Sequence, residues 1–335
     1  MTRAAAPRTL VLTERDVARV AAMPLAIRVV REAFRALARG QARMPPKLYL
    51  PLPGGSDFRA MPAWLRHPAA CGVKWVNVHP GNRRRGLPTV MAIIILNDSA
   101  TGVPIAIMDG LLITKLRTAA SAAVAAQALA RPDSRVVGLV GCGAQADAQL
   151  EALAEVFALA EARVWGHAPG EAAGFCRRMR RRLPGLRYRP VPTIAACVDA
   201  ADLVVTLTPS RRPLVRRGWL APGTHVNAIG ADAPGKQELD PRILREALVV
   251  VYDQAQAVHG GEVNVPIARG HYAARAIHAT LGEILLGAAP GRRSATALTV
   301  FDSTGLAIHD IALGAALTAQ ARRRGIGRHL ALFTV

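Results

Sequence analysis

Lysine is rare in this chain, and its few lysines stand in unusual sequence contexts. Of 43 basic residues only four are lysine, namely Lys47, Lys74, Lys115 and Lys236. A lysine carries a compact, titratable ammonium on a flexible stem, and its pKa can shift in a way that the pKa of a planar guanidinium cannot. Three of the four lie in dense stretches, around 44–47, 72–77 and 233–236. These three are candidates for a site, although a codon bias towards Arg would also leave a few lysines scattered without function.

A second candidate for chemistry is the Gly-rich sequence Gly141-Cys-Gly-Ala-Gln-Ala146. It follows the apolar run Val136–Val140 and precedes an amphipathic segment, which is the strand–turn–helix context of a dinucleotide fingerprint. Gly141 permits the tight turn, Gly143 lets the backbone approach a pyrophosphate, and Ala146 keeps the helix close to the sheet. The helix N-terminus favours the anion. The pattern predicts an NAD or NADP site, and the alternative is a tight turn without a ligand.

The residues after the next predicted strand bear on the choice of cofactor. A carboxylate at this place binds the ribose 2′-OH of NAD, and it would repel the 2′-phosphate of NADP. The strand ends Trp165-Gly-His-Ala168, without an acid. No Arg is adjacent, but His167 could help to bind a 2′-phosphate. The sequence therefore favours NADP over NAD and makes Gly166 and His167 candidate cofactor-binding residues.

The hydrophobic pattern predicts the elements that position these residues. In the first part, residues 14–39 predict two helices broken at Met23-Pro24 and ended by Gly40. An irregular Pro- and Gly-rich segment follows, and then strands at 72–79, 90–96 and 104–108 and an Ala-rich helix over 111–130. From residue 136 onwards, strands at 136–140, 162–165, 203–206, 224–229 and 248–252 alternate with helical segments, including 144–158 and 170–182. This alternation predicts an α/β fold with a doubly wound parallel sheet. The tail predicts a helix over 304–323 and a strand over 329–335.

Composition excludes several classes of protein. A chain of 335 residues, 51% hydrophobic and 20% charged, is expected to be globular with two domains. No apolar run is long enough for a membrane helix, and the first residues lack the apolar core of a secretory signal. The four cysteines, at 71, 142, 176 and 197, form no CxxC pair. They indicate reduced thiols in a cytoplasmic protein and neither a disulfide framework nor a zinc site.

The formal net charge of +20 raises the question of a nucleic-acid partner. Arg clusters lie at 83–85, 177–182 and 322–324, separated by long neutral stretches. Aromatic residues make up only 4% of the chain, so stacking platforms for bases are scarce. No helix-turn-helix or zinc-finger pattern is present. We therefore expect no nucleic-acid partner and no membrane partner.

When the lysine-containing stretches and the fingerprint are considered together, the chain resembles the ornithine cyclodeaminase/μ-crystallin family and, within it, the archaeal-type alanine dehydrogenases. The matching motifs run in order along nearly the whole chain. They are MPPKLY from Met44, DFRAMPA from Asp57, GVKWVNVHPGN from Gly72, GLPTVM from Gly86, LRTAA from Leu116, GCGAQA from Gly141, GADAPGKQELD from Gly230, HGGE from His259 and FDSTGLAI from Phe301.

The resemblance implies a Rossmann domain over 119–305 and a discontinuous domain, 1–118 with 306–335, that binds substrate and forms a homodimer. It implies hydride transfer between the substrate Cα and nicotinamide C4, coupled to formation or hydrolysis of an imine. An alanine dehydrogenase-like enzyme would interconvert a small L-amino acid with its 2-oxo acid and ammonia. The alternatives are ornithine cyclodeamination, reduction of a cyclic ketimine such as pyrroline-2-carboxylate, and a non-catalytic NADPH-binding protein.

The resemblance also implies roles for single residues. Asp232 matches the acid/base carboxylate, Lys74 and Arg117 match positions that bind the substrate carboxylate, and Arg43 lies near a third such position. Lys47 and Arg59 match positions near the nicotinamide. Other cofactor-contacting positions are Thr89, Arg117, Ala144, Gln145, Thr206, Thr208, Lys236 and Ser303. Lys115 has no counterpart and is expected to be a surface charge, and no motif suggests a metal.

Arg59 bears on the substrate. The cyclodeaminase carries a Glu at this place, which receives the second ammonium of ornithine. A guanidinium would repel that ammonium, and the repulsion grows as water is excluded. The resemblance therefore predicts a substrate without a distal positive charge.

Overall fold

The computed structural model describes residues 7–333, apart from the side chain of Arg83. The chain divides into two compact units, Met1–Arg117 with Leu306–Val335, and Thr118–Gly305. The helix α3, whose bounds follow, contributes its beginning to the first unit and the rest to the second.

In chain order the strands are β1 (Arg8–Leu12), β2 (Ala42–Arg43), β3 (Leu48–Leu52), β4 (Ser56–Leu65), β5 (Ala70–Val78), β6 (Val90–Asn97), β7 (Pro104–Asp109), β8 (Val136–Val140), β9 (Glu161–Trp165), β10 (Arg187–Pro190), β11 (Leu203–Thr206), β12 (Arg211–Val215), β13 (His225–Ala228), β14 (Gln237–Leu239), β15 (Leu248–Val251), β16 (Ala279–Thr280), β17 (Thr299–Asp302) and β18 (Arg328–Ala331). The helices are α1 (Glu14–Val20), α2 (Met23–Ala38), α3 (Leu111–Leu129), α4 (Ala146–Ala154), α5 (Glu171–Arg182), α6 (Ile194–Val198), α7 (Pro241–Glu246), α8 (Gln254–Gly260), α9 (Asn264–Ala268), α10 (Leu281–Leu286) and α11 (Ala307–Arg323).

The first unit is built on a mostly antiparallel sheet in the order β18-β1-β7-β6-β5-β4-β2, with β3 paired to β4. Among its strand pairs within residues 7–333, only β1 and β7 run parallel. On β4 and β6 buried and more exposed residues alternate, so one face of the sheet carries side chains such as Met61 and Ile94 into the core. Helix α11 packs on β4, β5 and β6 and also on α2. This α+β arrangement fixes which strand residues face α11.

The second unit contains a parallel sheet in the order β10-β9-β8-β11-β13-β17-β15-β16. Two separate apolar clusters pack against it, one around Val137, Leu139 and Phe175 and the other around Val140, Val226 and Val300. Strands buried on both faces are rich in Val and Leu, as β8 and β15 show. The predicted doubly wound Rossmann sheet and the separate α+β part are confirmed.

Some bounds differ from the sequence prediction. The helix expected over 144–158 begins at Ala146, because Ala146 N donates to Gly143 O and the preceding residues form the turn. Strand β17 was missed, since a polar residue stands at each end of its four residues. The predicted C-terminal strand spans Arg328–Ala331, and residues 334 and 335 lie outside the described residues.

Three further findings concern the classes considered above. The four cysteines are free thiols. Within residues 7–333 no group of three or more His, Cys, Asp or Glu side chains is placed to hold a metal ion. In the same part of the chain, every helix is too short or too polar to span a membrane.

Candidate active site

A buried ion cluster lies in the first unit between β5 and α11. Lys74 Nζ lies 2.7 Å from Asp310 Oδ2, and Arg117 Nε donates to Asp310 Oδ1 at 3.0 Å. Lys74 also donates to the Thr114 hydroxyl at 3.5 Å. The three charged residues are at most 6% exposed, so water screens their charges little. The structure thus brings together the two cations that the sequence assigned to the substrate carboxylate.

Local structure explains how this cluster forms. Lys74 pairs with Met61 on β4 and with Ile94 on β6, so it lies on the face of the sheet that α11 covers. Asp310 lies in the first turn of α11, where the partial positive charge of the helix N-terminus favours a carboxylate. Arg117 lies on the part of α3 that belongs to the first unit. Strand register and two helix positions therefore determine the cluster.

The cluster carries an excess of positive charge. Burial lowers the pKa of Lys74 to about 7, with Asp310 opposing this shift and Arg117 and Lys47 adding to it. Burial acts to raise the pKa of Asp310, but the charges of Arg117 and Lys74 hold it below its usual value. One carboxylate is therefore shared between two cations. When Lys74 is protonated, one positive charge remains to bind an anion.

His309 lies beside Asp310 and stays neutral. Its ring packs edge-on against Phe34 with 4.3 Å between ring centroids. Burial lowers its pKa to about 3, and the nearby charges of Arg117 and Lys74 act in the same direction. This histidine therefore contributes shape, and no charge, to the site near neutral pH.

The other candidates of the first unit are placed differently. Arg59 forms two hydrogen bonds to Asp57, at 2.7 and 3.1 Å, and its guanidinium lies over the Tyr49 ring. It shares the Lys74 face of the sheet, because it stands two residues before Met61 on β4. Lys47, which precedes β3, lies close enough to influence the pKa of Lys74. Asp57 thus compensates the positive charge of Arg59. The prediction that Arg59 repels a distal ammonium of the substrate did not take this carboxylate into account.

Arg43 is not grouped with these residues. It is exposed and pairs with Trp64, which stands three positions from Met61 on β4 and so faces the other side of the sheet. Thr89 precedes β6, and its carbonyl accepts the His79 amide at 2.7 Å. Lys115 is half-buried on α3, so the expected surface charge is only partly exposed.

The fingerprint turn of the second unit has the shape of a phosphate cradle. Gly141 has φ = 105°, a conformation that disfavours any side chain, and its N–H donates to Trp165 O at 3.0 Å. A Cβ added at Gly143 would meet no atom within 4 Å, so the space beside its backbone is open. The Gln145 side chain forms no cap on α4, and its buried Oε1 lacks a hydrogen-bond partner. An open glycine at a helix N-terminus fits a bound pyrophosphate. The candidate Ala144 lies in the same turn.

The end of β9 explains why no acid follows the strand. A Cβ at Gly166 would lie 2.9 Å from Glu171 Cβ and 3.0 Å from Cys142 Sγ, so a side chain there has no room. The Glu171 carboxylate accepts the Ala168 amide at 3.0 Å and so turns towards the loop backbone. His167 is exposed.

The ends of the neighbouring strands carry the remaining candidates. Thr206 ends β11 and Thr208 follows it, Ser303 follows β17, and Asp232 lies in the loop after β13. Lys236 Nζ lies 2.5 Å from Asp232 Oδ1 and 3.5 Å from Gly230 O. The structure thus joins the predicted acid/base to a lysine that the sequence assigned to the cofactor.

Two buried acids of interest were missed as functional residues. Asp310 is the second residue after the quoted 301–308 motif, and Glu238 was quoted within the 230–240 motif without a role. Glu238 accepts hydrogen bonds from Thr208 N, Thr208 Oγ1 and Gly230 N. The sequence signal that could have identified these two acids is their position, within two residues of a quoted motif or of a candidate residue.

Comparisons with known proteins agree with these features. The model of the ornithine cyclodeaminase/mu-crystallin family matches residues 8–324. An alanine dehydrogenase of Archaeoglobus fulgidus is 46% identical over 98% of this chain and 99% of its own length. A solved archaeal alanine dehydrogenase dimer with bound NAD is 45% identical, with a TM-score of 0.93, over 97% of this chain and all of that one.

A Thermococcus litoralis Δ1-pyrroline-2-carboxylate reductase, solved with NADH and L-proline, is 33% identical with a TM-score of 0.93. The match covers 96% of this chain and 100% of that one. The family match spans both units, and the resemblance read from the motifs is confirmed. The chain belongs to the ornithine cyclodeaminase/μ-crystallin family.

Proposed function

We propose that this protein is an NAD(P)-dependent amino-acid dehydrogenase that interconverts L-alanine, or a similarly small L-amino acid, with its 2-oxo acid and ammonia. The observation that carries the proposal is the buried Lys74–Asp310–Arg117 cluster with its surplus positive charge. It suits a substrate with one carboxylate. The 46% identity to an archaeal alanine dehydrogenase over almost the whole chain supports the same activity.

In this proposal the residues of the first unit hold the substrate. Lys74 and Arg117 bind the carboxylate of the 2-oxo acid or imine, and Asp310 fixes the orientation of both cations. Holding a reactant in one orientation is a large part of catalysis in such reactions. Bound NAD(P)H supplies the hydride that reduces the imine carbon.

Asp232 is the proposed general acid/base. It would take up and return the protons of the amine and of the water released when the imine forms. Lys236 Nζ lies 2.5 Å from its Oδ1 and would hold this carboxylate in place. Loops at the carboxyl ends of parallel strands are the usual place for such groups in this kind of sheet.

Reduction of a cyclic ketimine is the second candidate, because the Thermococcus litoralis relative is a pyrroline-2-carboxylate reductase. Such a substrate also carries one carboxylate and no distal ammonium. Ornithine is disfavoured in this proposal, because the Glu that receives its distal ammonium in the cyclodeaminase is here Arg59, which is paired with Asp57.

A substrate panel tests the proposal. Purified protein is given NADH or NADPH with pyruvate plus ammonia and, separately, with pyrroline-2-carboxylate, and oxidation is followed at 340 nm. We expect the highest kcat/KM with pyruvate and ammonia. Higher efficiency with pyrroline-2-carboxylate would favour the second candidate, and proline formed from ornithine with only catalytic NAD⁺ would contradict the dehydrogenase assignment.

A nicotinamide cofactor is supported by the related structures with NAD and NADH. For the choice between the two, we propose NADP. No carboxylate directly follows β9, and His167 is exposed. Arg178 lies close enough to the fingerprint turn to act on the pKa of Cys142, which its positive charge lowers. The negative charge of Glu171 acts on the same pKa in the opposite direction. His167→Ala should raise KM for NADPH several-fold and leave that for NADH unchanged. Equal effects on both would contradict the NADP proposal.

We also propose a cytoplasmic homodimer formed through the first unit. The sheet face opposite α11 exposes Trp75, its cross-strand neighbour Ile93, and Leu48 and Leu50 on the edge strand β3. An apolar patch of this kind marks an interaction surface. A second copy is the expected occupant, because the archaeal relative is a dimer. Ile93→Glu should give a monomer in light scattering, and an unchanged mass would overturn the proposed surface.

A further inference from the structure

Beyond the proposed acid/base, the second unit contains a buried carboxylate that ties two functional loops together. Glu238 is fully buried in the middle of the short strand β14, two residues after Lys236. Its Oε1 accepts from Thr208 N and Thr208 Oγ1, both at 2.7 Å, and its Oε2 accepts from Gly230 N at 2.9 Å. Each oxygen therefore binds a different loop, one after β11 and the other after β13.

The surrounding backbone shows how closely this carboxylate is fitted. A Cβ at Gly230 would lie 2.5 Å from Glu238 Oε2 and 2.2 Å from Thr208 O. A side chain at Gly230 would thus push the carboxylate and the loop apart. Asp232 stands two residues further along the same loop. The glycine and the carboxylate together determine where the loop with Asp232 begins.

A second buried acid holds Glu238 in turn. Glu262 accepts from Glu238 N at 3.0 Å and from Leu239 N at 2.7 Å. Burial raises the pKa of Glu262 well above its usual value, and the charge of Glu238 adds to this. Burial also raises the pKa of Glu238, and the hydrogen bonds from Thr208 and Gly230 oppose this rise. Glu238 thus accepts from three N–H and O–H donors, and Glu262 accepts from two backbone amides, one of which is shared between its two oxygens.

We infer that Glu238 is a positioning residue: its carboxylate joins the Thr208 loop to the Gly230–Asp232 loop and so holds the acid/base in its working place. The inference rests on the proposed role of Asp232 and adds a residue that acts through it. It applies to any reaction of this site that uses the Asp232 carboxylate. Glu238 itself has no contact with reactants in this scheme.

The matched pair Glu238→Gln and Glu262→Gln tests the inference. In Glu238→Gln the new NH₂ must face an N–H donor of one of the two loops, whichever way the amide turns, so one link is lost. In Glu262→Gln an amide oxygen in the place of Oε1 still accepts from both backbone amides, and only the second bond, from Glu238 N to Oε2, is lost. We expect kcat to fall at least tenfold in Glu238→Gln and less than threefold in Glu262→Gln. Melting temperatures of both variants are measured on the same samples.

A double-mutant cycle separates positioning from loss of structure. If Glu238 acts through Asp232, the variant Glu238→Gln/Asp232→Asn should have the residual kcat of Asp232→Asn alone, because interacting residues are not additive. If the losses in kcat of the two single variants multiply in the double variant, the inference is overturned. It is also overturned if Glu238→Gln and Glu262→Gln lose kcat equally and in proportion to their fall in melting temperature. If Glu238→Gln fails to fold, Glu238→Asp replaces it, since the shorter carboxylate reaches only one loop.

A binding measurement keeps the inference testable if the proposed reaction is wrong. Fluorescence titration with NADH and NADPH needs no substrate, and Thr208 is a predicted cofactor contact. Glu238→Gln should then raise the Kd of the preferred cofactor about fivefold, with Glu262→Gln near the wild-type value. An unchanged Kd together with an unchanged turnover would overturn the positioning role, whereas inactivity of the wild type with every substrate would contradict the proposed function alone.

Discussion

Removing the carboxylate of Asp310 is the perturbation with the clearest physical consequence. In Asp310→Asn the two buried cations of Lys74 and Arg117 lose their shared counter-ion, 2.7 and 3.0 Å away. Asp310 is the main influence that raises the pKa of Lys74 against the cost of burial. Without it the pKa falls below about 7, and Lys74 is mostly neutral at neutral pH. The variant therefore loses the Lys74 ammonium, one of the two cations proposed to bind the substrate carboxylate, and keeps the charge of Arg117.

The magnitude follows from the burial of the cluster. Removing one partner of a buried ion pair costs about 3–5 kcal/mol. Deprotonation of Lys74 relieves part of this, so we expect the lower end, about 3 kcal/mol at pH 7.5. The stability difference from the wild type should grow as the pH falls below 7, because only the wild type then binds a proton at Lys74 in the folded state. Loss of a charged hydrogen bond of about 1.5–3 kcal/mol raises KM for pyruvate roughly 10- to 150-fold.

The assay combines thermal melting with steady-state kinetics at several pH values. Glu32→Gln is the matched control, because it breaks a partly exposed ion pair of similar length, 2.7 Å to Arg35. Exposed pairs contribute about 1 kcal/mol or less, so the control should melt and turn over like the wild type. A wild-type KM for pyruvate in Asp310→Asn, with an unchanged pH profile, would refute the role of the cluster.

Three further predictions follow from the same geometry. Because burial lowers the pKa of Lys74 to about 7, and only its protonated form is charged, KM for pyruvate should rise as the pH increases from about 6 to 8; a flat profile would contradict the role of Lys74. Asp232→Asn should bind NAD(P)H normally in fluorescence titration yet lose about 10²–10⁴-fold in kcat, and full activity would rule out acid/base catalysis by this carboxylate. Gly143→Val should fold with the wild-type melting temperature, since a Cβ there meets no atom, but it should abolish cofactor binding, and tight binding would refute the cradle.

The Rossmann part of the fold was predictable because its signals are local. The run Val136–Val140 and the glycines after it lie within a dozen residues, and the structure places the strand at the predicted bounds. The helix that follows was predicted too long at both ends. The bounds of a helix depend on capping contacts, which the hydrophobic pattern does not contain.

The partners within the candidate site were not predictable, because they come from distant parts of the chain. Lys74 and Asp310 meet only through the packing of α11 on β5. The contact of Glu238 with Thr208 and Gly230 likewise depends on the order of strands in a parallel sheet. The sequence also suggested Arg43 for the substrate, yet strand register puts it on the other face of its sheet from Lys74.

The most direct test of the proposed reaction is the fate of labelled nitrogen. Wild-type protein is incubated with pyruvate, ¹⁵N-ammonium and an excess of the reduced cofactor, and the products are identified by NMR. We expect L-[¹⁵N]alanine in amounts equal to the cofactor oxidised, and its loss in Asp232→Asn. Cofactor oxidation without labelled alanine, or no turnover of pyruvate while pyrroline-2-carboxylate is reduced, would contradict the assignment as an alanine dehydrogenase.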